Sequence, residues 1–341
     1  MIIFNKPAEF NKMKDILTKL LESQRLTRSE AMKLMHGIAS GEVNESQSAA
    51  VLTAYIMRNI SIEELLGFRD ALMELARQVD TGSREVIDVC GTGGDGKNTF
   101  NISTLTAFVV AGAGVPVAKH GNYGVSSASG SSNVMEYLGY RFTGEKEKLQ
   151  KELEEAGICF MHAPLFHPAL KAVGKIRKQI GVKTFFNILG PLVNPANPSC
   201  QVSGVFNMEA GRIYSYLLQR ENKKFVVIHS LDGYDEVSLT SDVSLFTEKG
   251  ESLLPVESFG LPPIMAEEIA GGESVKSAGK IFMDVLNNRS TVPQKNTVIA
   301  NSALALQCYR GCSLETAVAD ARDSIESHRA LGVFKKLTAI Q

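Results

Sequence analysis

One stretch of the chain, residues 88–104, restricts the possible folds more than any other. It reads DVCGTGGDGKNTFNIST, with four glycines among the six residues 91–96. A short apolar run at 86–89 predicts a buried strand before the glycines, and an apolar, helix-like segment begins near Ser103. Glycine permits positive φ angles and a close approach to a ligand, while a helix N-terminus offers unpaired N–H groups and a partial positive charge. The pattern therefore predicts a strand, a glycine loop and a helix that together bind a phosphate or pyrophosphate.

Two common phosphate-binding motifs match this loop only in part. The glycines satisfy the Gly-x-Gly-x-x-Gly spacing of dinucleotide-binding loops, but the predicted helix begins near Ser103 rather than at the glycines. The next strand also ends in Lys119 and His120, where that motif requires an acid. The P-loop pattern fails because Asn98 follows Lys97 in place of Ser or Thr. A dehydrogenase and a P-loop ATPase are therefore disfavoured, and a plain strand-to-helix turn is the weaker alternative.

Composition and charge describe an ordinary globular protein. The 341 residues are 44% hydrophobic and 21% charged with a net charge of −1, so we expect no nucleic-acid partner. No apolar run in the sequence approaches the ~20 residues that span a bilayer, and the first 14 residues carry charges without a signal-peptide core. Five cysteines without a Cys-x-x-Cys pair predict free thiols rather than disulfides or zinc. We therefore expect a cytoplasmic protein without membrane segments, with one large and one smaller domain.

The order of predicted elements indicates a two-part architecture. Residues 12–79 have the spacing of consecutive helices, whereas after residue 85 short apolar strands alternate with helices. This alternation is typical of an α/β domain with a mainly parallel central sheet flanked by helices. We expect a helical domain at 1–82 and an α/β domain at 83–341, with part of 163–198 packing on the helical domain as a hinge segment.

Local signals set the expected boundaries of these elements. Thr27 and Glu30 have capping-box spacing, Gly41 is suited to end that helix, and Ser61 is suited to cap a helix that runs to about Gln78. The predicted strands are Val86–Val89, Val115–Ala118, Ile158–Met161, Gln201–Phe206 and Phe225–His229. The later predicted helices are Ser103–Gly112, Ser131–Leu138, Glu145–Glu155, His167–Ile180, Glu209–Arg220, Ser274–Leu286, Thr297–Tyr309 and Ser313–His328.

A second polar, glycine-containing loop follows the next predicted strand, at residues 119–127. Open α/β sheets bind ligands at the carboxyl ends of their strands, so we expect the two loops to face one crevice. Lys119 is suited to pairing with phosphate oxygens, whereas His120 invites a general-base role that a lone histidine seldom has. The hydroxyls near the next helix start suit either ligand binding or a flexible loop, and belong to Ser126, Ser127, Ser129, Ser131 and Ser132.

Two further clusters carry charges suited to an acidic or phosphorylated ligand. Asp235 and Glu236 are adjacent acids in a loop after a predicted strand, and Mg²⁺ binds one or two carboxylates together with substrate phosphates. A solvated acidic turn is the alternative. Arg177 lies among apolar residues and is suited to a bidentate clamp on a carboxylate, although this segment by itself favours an exposed helix arginine.

Together the four clusters resemble the anthranilate phosphoribosyltransferase family, over nearly the whole chain. The motifs that carry the resemblance are Gly91-Thr-Gly-Gly-Asp95 and Lys119-His-Gly-Asn122, in this order. The resemblance implies a helical domain joined to an α/β domain, in a homodimer formed through the helical domains. It also implies an enzyme of tryptophan synthesis that joins anthranilate to phosphoribosyl pyrophosphate and releases pyrophosphate, with Mg²⁺, expected as two ions per subunit.

The resemblance assigns expected roles to individual residues. Those expected to bind phosphoribosyl pyrophosphate are Gly91, Gly94, Asp95, Thr99, Asn101, Ile102, Ser103, Thr104, Lys119, His120, Gly121, Asn122, Tyr123, Gly124, Val125, Ser126, Ser127 and Ser131. Those expected to contact anthranilate are Gly91, Asn122 and Arg177, and the expected Mg²⁺ ligands are Ser103, Asp235 and Glu236. The aromatic amine of anthranilate is already a neutral nucleophile, so no acid–base catalyst is predicted.

The sequence departs from the family pattern at two positions. Tyr123 stands where the family often has Arg, and Ala128 stands where it often has Lys. Two positive charges are therefore missing from a loop that handles a polyanionic substrate. Lys97, Lys119 and Lys183 are the residues expected to compensate.

Two other functions agree with part of this pattern. A pyrimidine nucleoside phosphorylase has the fold that the resemblance implies, but the Asp235–Glu236 pair and the loop at 119–122 favour the transferase. A non-catalytic nucleic-acid-binding relative is disfavoured by the near-neutral net charge and by the complete set of metal and acceptor residues.

Overall fold

The computed structural model describes residues 6–124 and 129–340. These residues form two compact units. The first comprises the chain up to Gln78 together with Pro164–Pro195, and the second comprises Val79–Ala163 together with the chain from Ala196 onward. Within the described ranges, no helix is long and apolar enough to cross a membrane.

Fifteen α-helices and seven strands are present in the described part of the chain. The helices are α1 (Lys6–Leu21), α2 (Arg28–Ser40), α3 (Glu45–Met57), α4 (Ile62–Glu74), α5 (Ile102–Gly112), α6 (Ser131–Tyr137), α7 (Lys146–Glu155), α8 (Ala163–Phe166), α9 (Pro168–Ile180), α10 (Phe186–Leu189), α11 (Met208–Arg220), α12 (Val275–Leu286), α13 (Val292–Arg310), α14 (Leu314–Glu326) and α15 (Arg329–Ala339). The strands are β1 (Ile87–Gly91), β2 (Val117–Gly121), β3 (Ile158–His162), β4 (Cys200–Gly204), β5 (Lys224–Ser230), β6 (Val243–Thr247) and β7 (Gly250–Leu254). Short 3-10 helices occupy Gly190–Val193, Val256–Phe259 and Ala266–Ile269.

Capping side chains begin and end the helices of the first unit as the sequence predicts. Thr27 and Glu30 exchange hydrogen bonds in a capping box at the start of α2, and Gly41 ends that helix at φ 80°. Ser61 caps α4 with a second capping box. These local interactions satisfy helix-end N–H groups that would otherwise lack partners.

Helix α4 is shorter than predicted, and the first unit's own packing explains the difference. It ends at Glu74 rather than near Gln78. The backbone N–H of Arg77 donates to the carbonyl of Phe166 at 2.8 Å instead of to a helical carbonyl. A distant part of the chain therefore ends the helix, and the local sequence cannot reveal this.

The predicted insertion at 163–198 belongs largely to the first unit. Helix α9 packs against α2 and α3, and Lys175 Nζ lies 3.1 Å from Glu45 Oε1. The insertion therefore packs on the N-terminal helices as expected. Its role as a hinge stays a prediction.

A buried ion pair stabilises the first unit. The carboxylate of Glu64, which is fully buried, accepts hydrogen bonds from Arg58, from the Leu26 N–H at 2.9 Å and from the Tyr55 hydroxyl at 3.1 Å. Burial by itself raises the pKa of Glu64, but the hydrogen bonds outweigh it and lower the pKa to about 2. One carboxylate thereby joins α4, the end of α3 and the segment before α2.

The second unit contains one seven-stranded sheet in the order β3-β2-β1-β4-β5-β6-β7. Strands β1 to β5 pair in parallel, and β5, β6 and β7 pair antiparallel, so the prediction of a mainly parallel sheet is confirmed. Chain order reverses between β1 and β4, and ligands of open α/β sheets bind at the carboxyl ends of strands on either side of such a reversal. This topology places the expected binding crevice above Gly91 and Gly204.

Three elements of the second unit differ from the sequence prediction. Strands β6 and β7 were not predicted, because this edge hairpin has short strands and a largely exposed β7. Helix α13 begins five residues before the predicted Thr297, because Thr291 caps it and a proline occupies its first turn. The predicted last helix is two helices, since His328 adopts φ 62° between α14 and α15.

A second buried carboxyl lies in the core of the larger unit. Glu152 of α7 is fully buried, and its two oxygens accept hydrogen bonds from the Tyr140 hydroxyl at 2.9 and 3.0 Å. Burial raises the pKa of Glu152 to about 7, although the Tyr140 hydrogen bond and the charge of Lys148 oppose the rise. The folded protein therefore holds a proton that the unfolded chain releases.

This proton makes folding stability depend on pH in a stated direction. The folded-state pKa of about 7 lies above the ordinary value of 4.5, so the contribution of Glu152 to stability falls as pH rises between these values. We expect Glu152→Gln to gain stability relative to the unmodified protein over this window, by up to about 3 kcal/mol above neutral pH. Urea unfolding across the window measures the gain, with Glu154→Gln, on the exposed face of α7, as control. Parallel stability curves for Glu152→Gln and the unmodified protein would contradict the expectation.

Candidate active site

The acid loop, residues 231–242 between β5 and β6, lies directly on the ends of β1 and β4. Gly91 and Gly204 are register partners in the parallel pair. A Cβ atom on Gly91 would lie 2.5 Å from Asp235 Oδ2, and one on Gly204 would lie 1.5 Å from the Asp235 carbonyl oxygen. The Gly93 N–H donates to Asp235 Oδ2 at 2.7 Å. The chain therefore requires glycine at both strand ends so that Asp235 can reach the crevice.

The glycine loop between β1 and α5 has the conformation that its composition predicts. Gly93, Gly94 and Gly96 adopt φ angles of 63°, 77° and 76°, which residues with a side chain rarely adopt. The Asp95 Oδ1 accepts the Lys97 N–H at 3.0 Å within this loop. The predicted sequence of strand, glycine loop and helix is present.

Several buried polar atoms around the start of α5 have no hydrogen-bond partner among the described residues. They are Thr92 Oγ1, Asn101 Oδ1, Thr104 Oγ1 and Ser129 Oγ. The amide nitrogen of Asn101 donates to the Ser129 carbonyl at 3.1 Å, which links the glycine loop with the residue before α6. Because buried polar atoms are normally paired, this cluster is suited to a polar ligand. Thr92 was not among the predicted ligands, although it lies inside the glycine motif.

Three acids concentrate negative charge beside the glycine loop. Burial and the neighbouring charge of Asp95 raise the pKa of Asp235 to about 7. Burial also raises the pKa of Glu236, with a further contribution from Asp235, while the Lys119 charge and the Ser103 N–H oppose the rise. Such a cluster favours either bound protons or a bound cation.

The donor chemistry of these acids fits Mg²⁺ bound together with a phosphorylated ligand. Across residues 6–124 and 129–340, no three His, Cys, Asp or Glu side chains form a metal-binding group. Mg²⁺ usually takes one or two carboxylates and completes its coordination with water and substrate phosphates. Asp235 and Glu236, with the nearby Ser103, match that requirement.

Lys119 occupies a different place from the one its motif suggests. It is only 1% exposed, and its Nζ donates to the Val89 carbonyl at 2.6 Å beneath the glycine loop. Its charge stabilises the ionised form of Glu236. The adjacent His120 donates its backbone N–H to Asp88 Oδ1 at 3.3 Å. Direct contact of Lys119 with phosphate stays a prediction.

The second polar loop is fastened at its base by a residue that the sequence analysis missed. Asn133 Oδ1, in the first turn of α6, accepts the N–H groups of Gly124 at 2.9 Å and Gly130 at 3.0 Å. The Asn122 carbonyl accepts the Ser131 hydroxyl at 3.3 Å. The predicted ligands Val125, Ser126 and Ser127, and the departure at Ala128, lie outside the described residues.

Tyr123, the other departure from the family pattern, contacts the ends of β3 and α6. Its ring centre lies 4.6 Å from that of His162 in an edge-to-face contact, and its hydroxyl lies 3.4 Å from both Glu136 oxygens. His162 Nδ1 in turn lies 2.9 Å from Ser132 Oγ. Protein groups therefore hold the half-exposed Tyr123 side chain.

Arg177 belongs to the first unit, whereas the glycine and acid loops belong to the second. Its guanidinium lies 5.4 Å from the centre of the Phe186 ring and donates to Asn187 Oδ1 at 3.4 Å. Burial lowers the pKa of Arg177. A partly buried guanidinium with few protein acceptors is suited to an anionic ligand.

Comparisons with known proteins agree with this architecture. A profile described as "Glycosyl transferase family, a/b domain" matches residues 83–331, and one described as "Glycosyl transferase family, helical bundle domain" matches residues 14–76. The chain is 50% identical over 325 residues to an anthranilate phosphoribosyltransferase of Christiangramia forsetii, covering 95% of this chain and 98% of the relative. The same identity, length and coverage hold for that of Bacteroides thetaiotaomicron. The chain belongs to the anthranilate phosphoribosyltransferase family.

Solved structures of the family have the same fold. The anthranilate phosphoribosyltransferase from Thermus thermophilus superposes with a TM-score of 0.89 at 33% identity, covering 96% of this chain and 99% of that one. The Saccharomyces cerevisiae enzyme, solved with phosphoribosyl pyrophosphate and Mg, superposes with a TM-score of 0.88 at 25% identity, covering 97% and 98%. The predicted fold class, a helical domain plus a larger α/β domain, is confirmed.

The close contact at Gly204 yields a test of the site's architecture. Gly204→Ala would place a Cβ atom 1.5 Å from the Asp235 carbonyl oxygen, so the acid loop must move. We expect a loss of about 1–3 kcal/mol or more in unfolding free energy, as for overpacked sites, and a matching fall in thermal midpoint. Gly332→Ala on α15 is the control, because nothing lies within 4 Å of its new Cβ. Equal stability of Gly204→Ala and the unmodified protein would show that Asp235 does not lie on this strand end.

Proposed function

We propose that this protein transfers the 5-phosphoribosyl group from phosphoribosyl pyrophosphate to the amine of anthranilate. The products are N-(5-phosphoribosyl)anthranilate and pyrophosphate, and the reaction is the second step of tryptophan synthesis from chorismate. The observation that carries the proposal is the position of Asp235 on Gly91 and Gly204, because it brings an acid pair to a glycine loop and a helix N-terminus. Membership of the family, and the yeast relative with phosphoribosyl pyrophosphate and Mg, support it.

The glycine loop and the start of α5 bind the polyanionic donor in this proposal. Backbone N–H groups at a helix N-terminus suit phosphate, and the unpartnered Asn101 and Thr104 oxygens add polar contacts there. The remaining donor ligands are the full set that the family resemblance assigns, including Gly94, Asp95 and Ser131. They stay part of the proposal.

Asp235, Glu236 and Ser103 are the proposed ligands of Mg²⁺, with two ions per subunit. Bound Mg²⁺ would neutralise charge on the pyrophosphate leaving group. The Lys119 ammonium beneath the loop favours the ionised form of Glu236, and the Gly93 N–H favours that of Asp235. These groups keep the acids able to bind a cation despite their burial.

Positioning and charge stabilisation supply the chemistry, without a strong base. The C–O bond between the anomeric carbon and pyrophosphate breaks, and the electron pair leaves with pyrophosphate. The N–H groups at the start of α5 stabilise that charge. Arg177 holds the anthranilate carboxylate so that the neutral amine attacks the opposite face with inversion. The amine then releases its proton to solvent.

Loss of anthranilate fluorescence in the presence of phosphoribosyl pyrophosphate tests the proposal directly. We expect Mg²⁺-dependent loss, with the phosphoribosylated product confirmed by mass. In the double variant Asp235→Asn, Glu236→Gln, we expect turnover to nearly vanish and Mg²⁺ activation to weaken. Product formation by this variant with unaltered Mg²⁺ dependence would remove both acids from the metal site.

The same preparation distinguishes the two alternative functions. Phosphate-dependent cleavage of thymidine, without consumption of anthranilate, would identify a pyrimidine nucleoside phosphorylase. A salt-sensitive shift of DNA on a gel, without either reaction, would identify a nucleic-acid-binding relative. We expect neither result.

Arg177→Ala tests the acceptor site. Removing a charge-assisted contact costs about 1.5–3 kcal/mol, which corresponds to a rise of roughly 10- to 150-fold in the KM for anthranilate. The KM for phosphoribosyl pyrophosphate should change little. Lys178→Ala, at the exposed neighbouring position on α9, is the matched control. An unchanged anthranilate KM in Arg177→Ala would exclude the arginine from the acceptor site.

The remaining expectations concern assembly and location. We propose a homodimer through the helical unit, supported by the exposed apolar side chains of Leu21, Ile56 and Met57. Light scattering of the intact protein tests this assembly. The domain limits at 1–82 and 83–341, the hinge role of part of 163–198 and a cytoplasmic location stand as proposals alongside it.

A further inference from the structure

Asn301, in the middle of α13, holds the acid loop through its side-chain amide. Its Oδ1 accepts the Val237 N–H at 2.9 Å. Its Nδ2 donates to the Val237 carbonyl at 2.8 Å and to the Thr297 carbonyl at 2.9 Å. The side chain is 2% exposed, so water cannot readily replace these bonds.

The amide therefore pairs with both backbone groups of the residue that follows Glu236. Only a side chain with a donor and an acceptor in one plane makes this pair of bonds. On the preceding residue, the Ser230 hydroxyl donates to the Glu236 carbonyl at 2.6 Å. The backbone on the carboxyl side of Glu236 is thus fixed at two consecutive residues.

The acid loop contains backbone strain that such bonds can hold in place. Leu239 is fully buried and has φ 61°, a left-handed conformation that is unfavourable for a leucine. Strained conformations of this kind persist when surrounding structure fixes them. The Asn301 amide lies two residues before this position and is one of the groups that fix it.

Helix α13 also packs against α5. Residue Ser103 in the first turn of α5 presents its N–H to the Glu236 carboxylate. One helix therefore supports both the acid loop and the helix start that the acids face. Displacement of either would separate Glu236 from Ser103.

We propose that Asn301 is a positioning residue that keeps Asp235 and Glu236 in the arrangement that binds a divalent cation with the pyrophosphate group. It acts through the Val237 backbone. The inference rests on the proposed function for its catalytic consequence, while the geometry of the loop stands apart from it.

Asn301→Leu removes the hydrogen bonds and keeps a side chain of similar size. Ser302→Ala is the matched control, because Ser302 is the next residue of α13, fully buried, and its hydroxyl has no partner within the described part of the chain. We expect Asn301→Leu to raise the Mg²⁺ concentration for half-maximal activity by about 10- to 100-fold, as loss of groups that orient metal ligands does. The KM for anthranilate should stay unchanged, and Ser302→Ala should match the unmodified protein.

Two measurements without turnover separate this inference from the proposed function. Hydrogen exchange of peptides covering residues 235–239 should be faster in Asn301→Leu than in the unmodified protein or Ser302→Ala. Binding of Mn²⁺ in the presence of pyrophosphate, followed by electron paramagnetic resonance, should weaken by a similar factor. Absence of product from the unmodified protein would refute the proposed function, whereas these two readouts would still decide the role of Asn301.

Unchanged exchange and unchanged Mn²⁺ affinity in folded Asn301→Leu would overturn the inference. If that variant does not fold, Asn301→Ser is the second variant, because its smaller hydroxyl side chain cannot pair with both Val237 groups. We expect the same direction of change in exchange and Mn²⁺ affinity. A native result in both measurements for Asn301→Ser would equally overturn the inference.

Discussion

The close approach of the acid loop to two strand ends is the constraint on which the candidate site depends. Gly91 and Gly204 are far apart in sequence, but the parallel register of β1 and β4 places them side by side. With no side chain at either position, Asp235 occupies the space above both and reaches the Gly93 N–H. The strand order, which puts β4 beside β1 rather than beside β3, is therefore what allows a loop from β5 to meet the glycine loop.

The electrostatics of the site follow from this packing. Placing Asp235 and Glu236 close to Asp95, away from bulk water, disfavours their ionised forms, and their raised pKa values record that cost. The Gly93 N–H and the Lys119 charge oppose it only in part. Because the protein groups do not fully offset the buried negative charge, a bound cation would stabilise this arrangement more than protein contacts do. The packing and the proposed metal requirement thus have one physical origin.

Local patterns predicted the capping boxes, the five parallel strands and the glycine loop, because each depends on neighbouring residues. The end of α4 could not be predicted, since the Phe166 carbonyl that receives the Arg77 N–H comes from a distant segment. The same limit applies within the site. Motif analysis directed Lys119 at phosphate, but the structure directs its Nζ to the Val89 carbonyl. Asn133 and Asn301 act on backbone groups of loops, so their roles depend on tertiary contacts that a single sequence does not reveal.

The departure at Tyr123 replaces a positive charge with an aromatic contact. The three lysines expected to compensate lie elsewhere: Lys119 is buried beneath the loop, Lys97 Nζ lies 4.5 Å from the Tyr234 ring centre, and Lys183 belongs to the first unit. In the proposed reaction, backbone N–H groups and Mg²⁺ therefore carry more of the phosphate neutralisation than side-chain cations do. Tyr123 contributes order instead of charge, because its contacts with His162 and Glu136 fasten the loop to β3 and α6. A loop fastened by the protein itself depends less on the donor's phosphates for its conformation, so loss of a loop cation need not abolish binding.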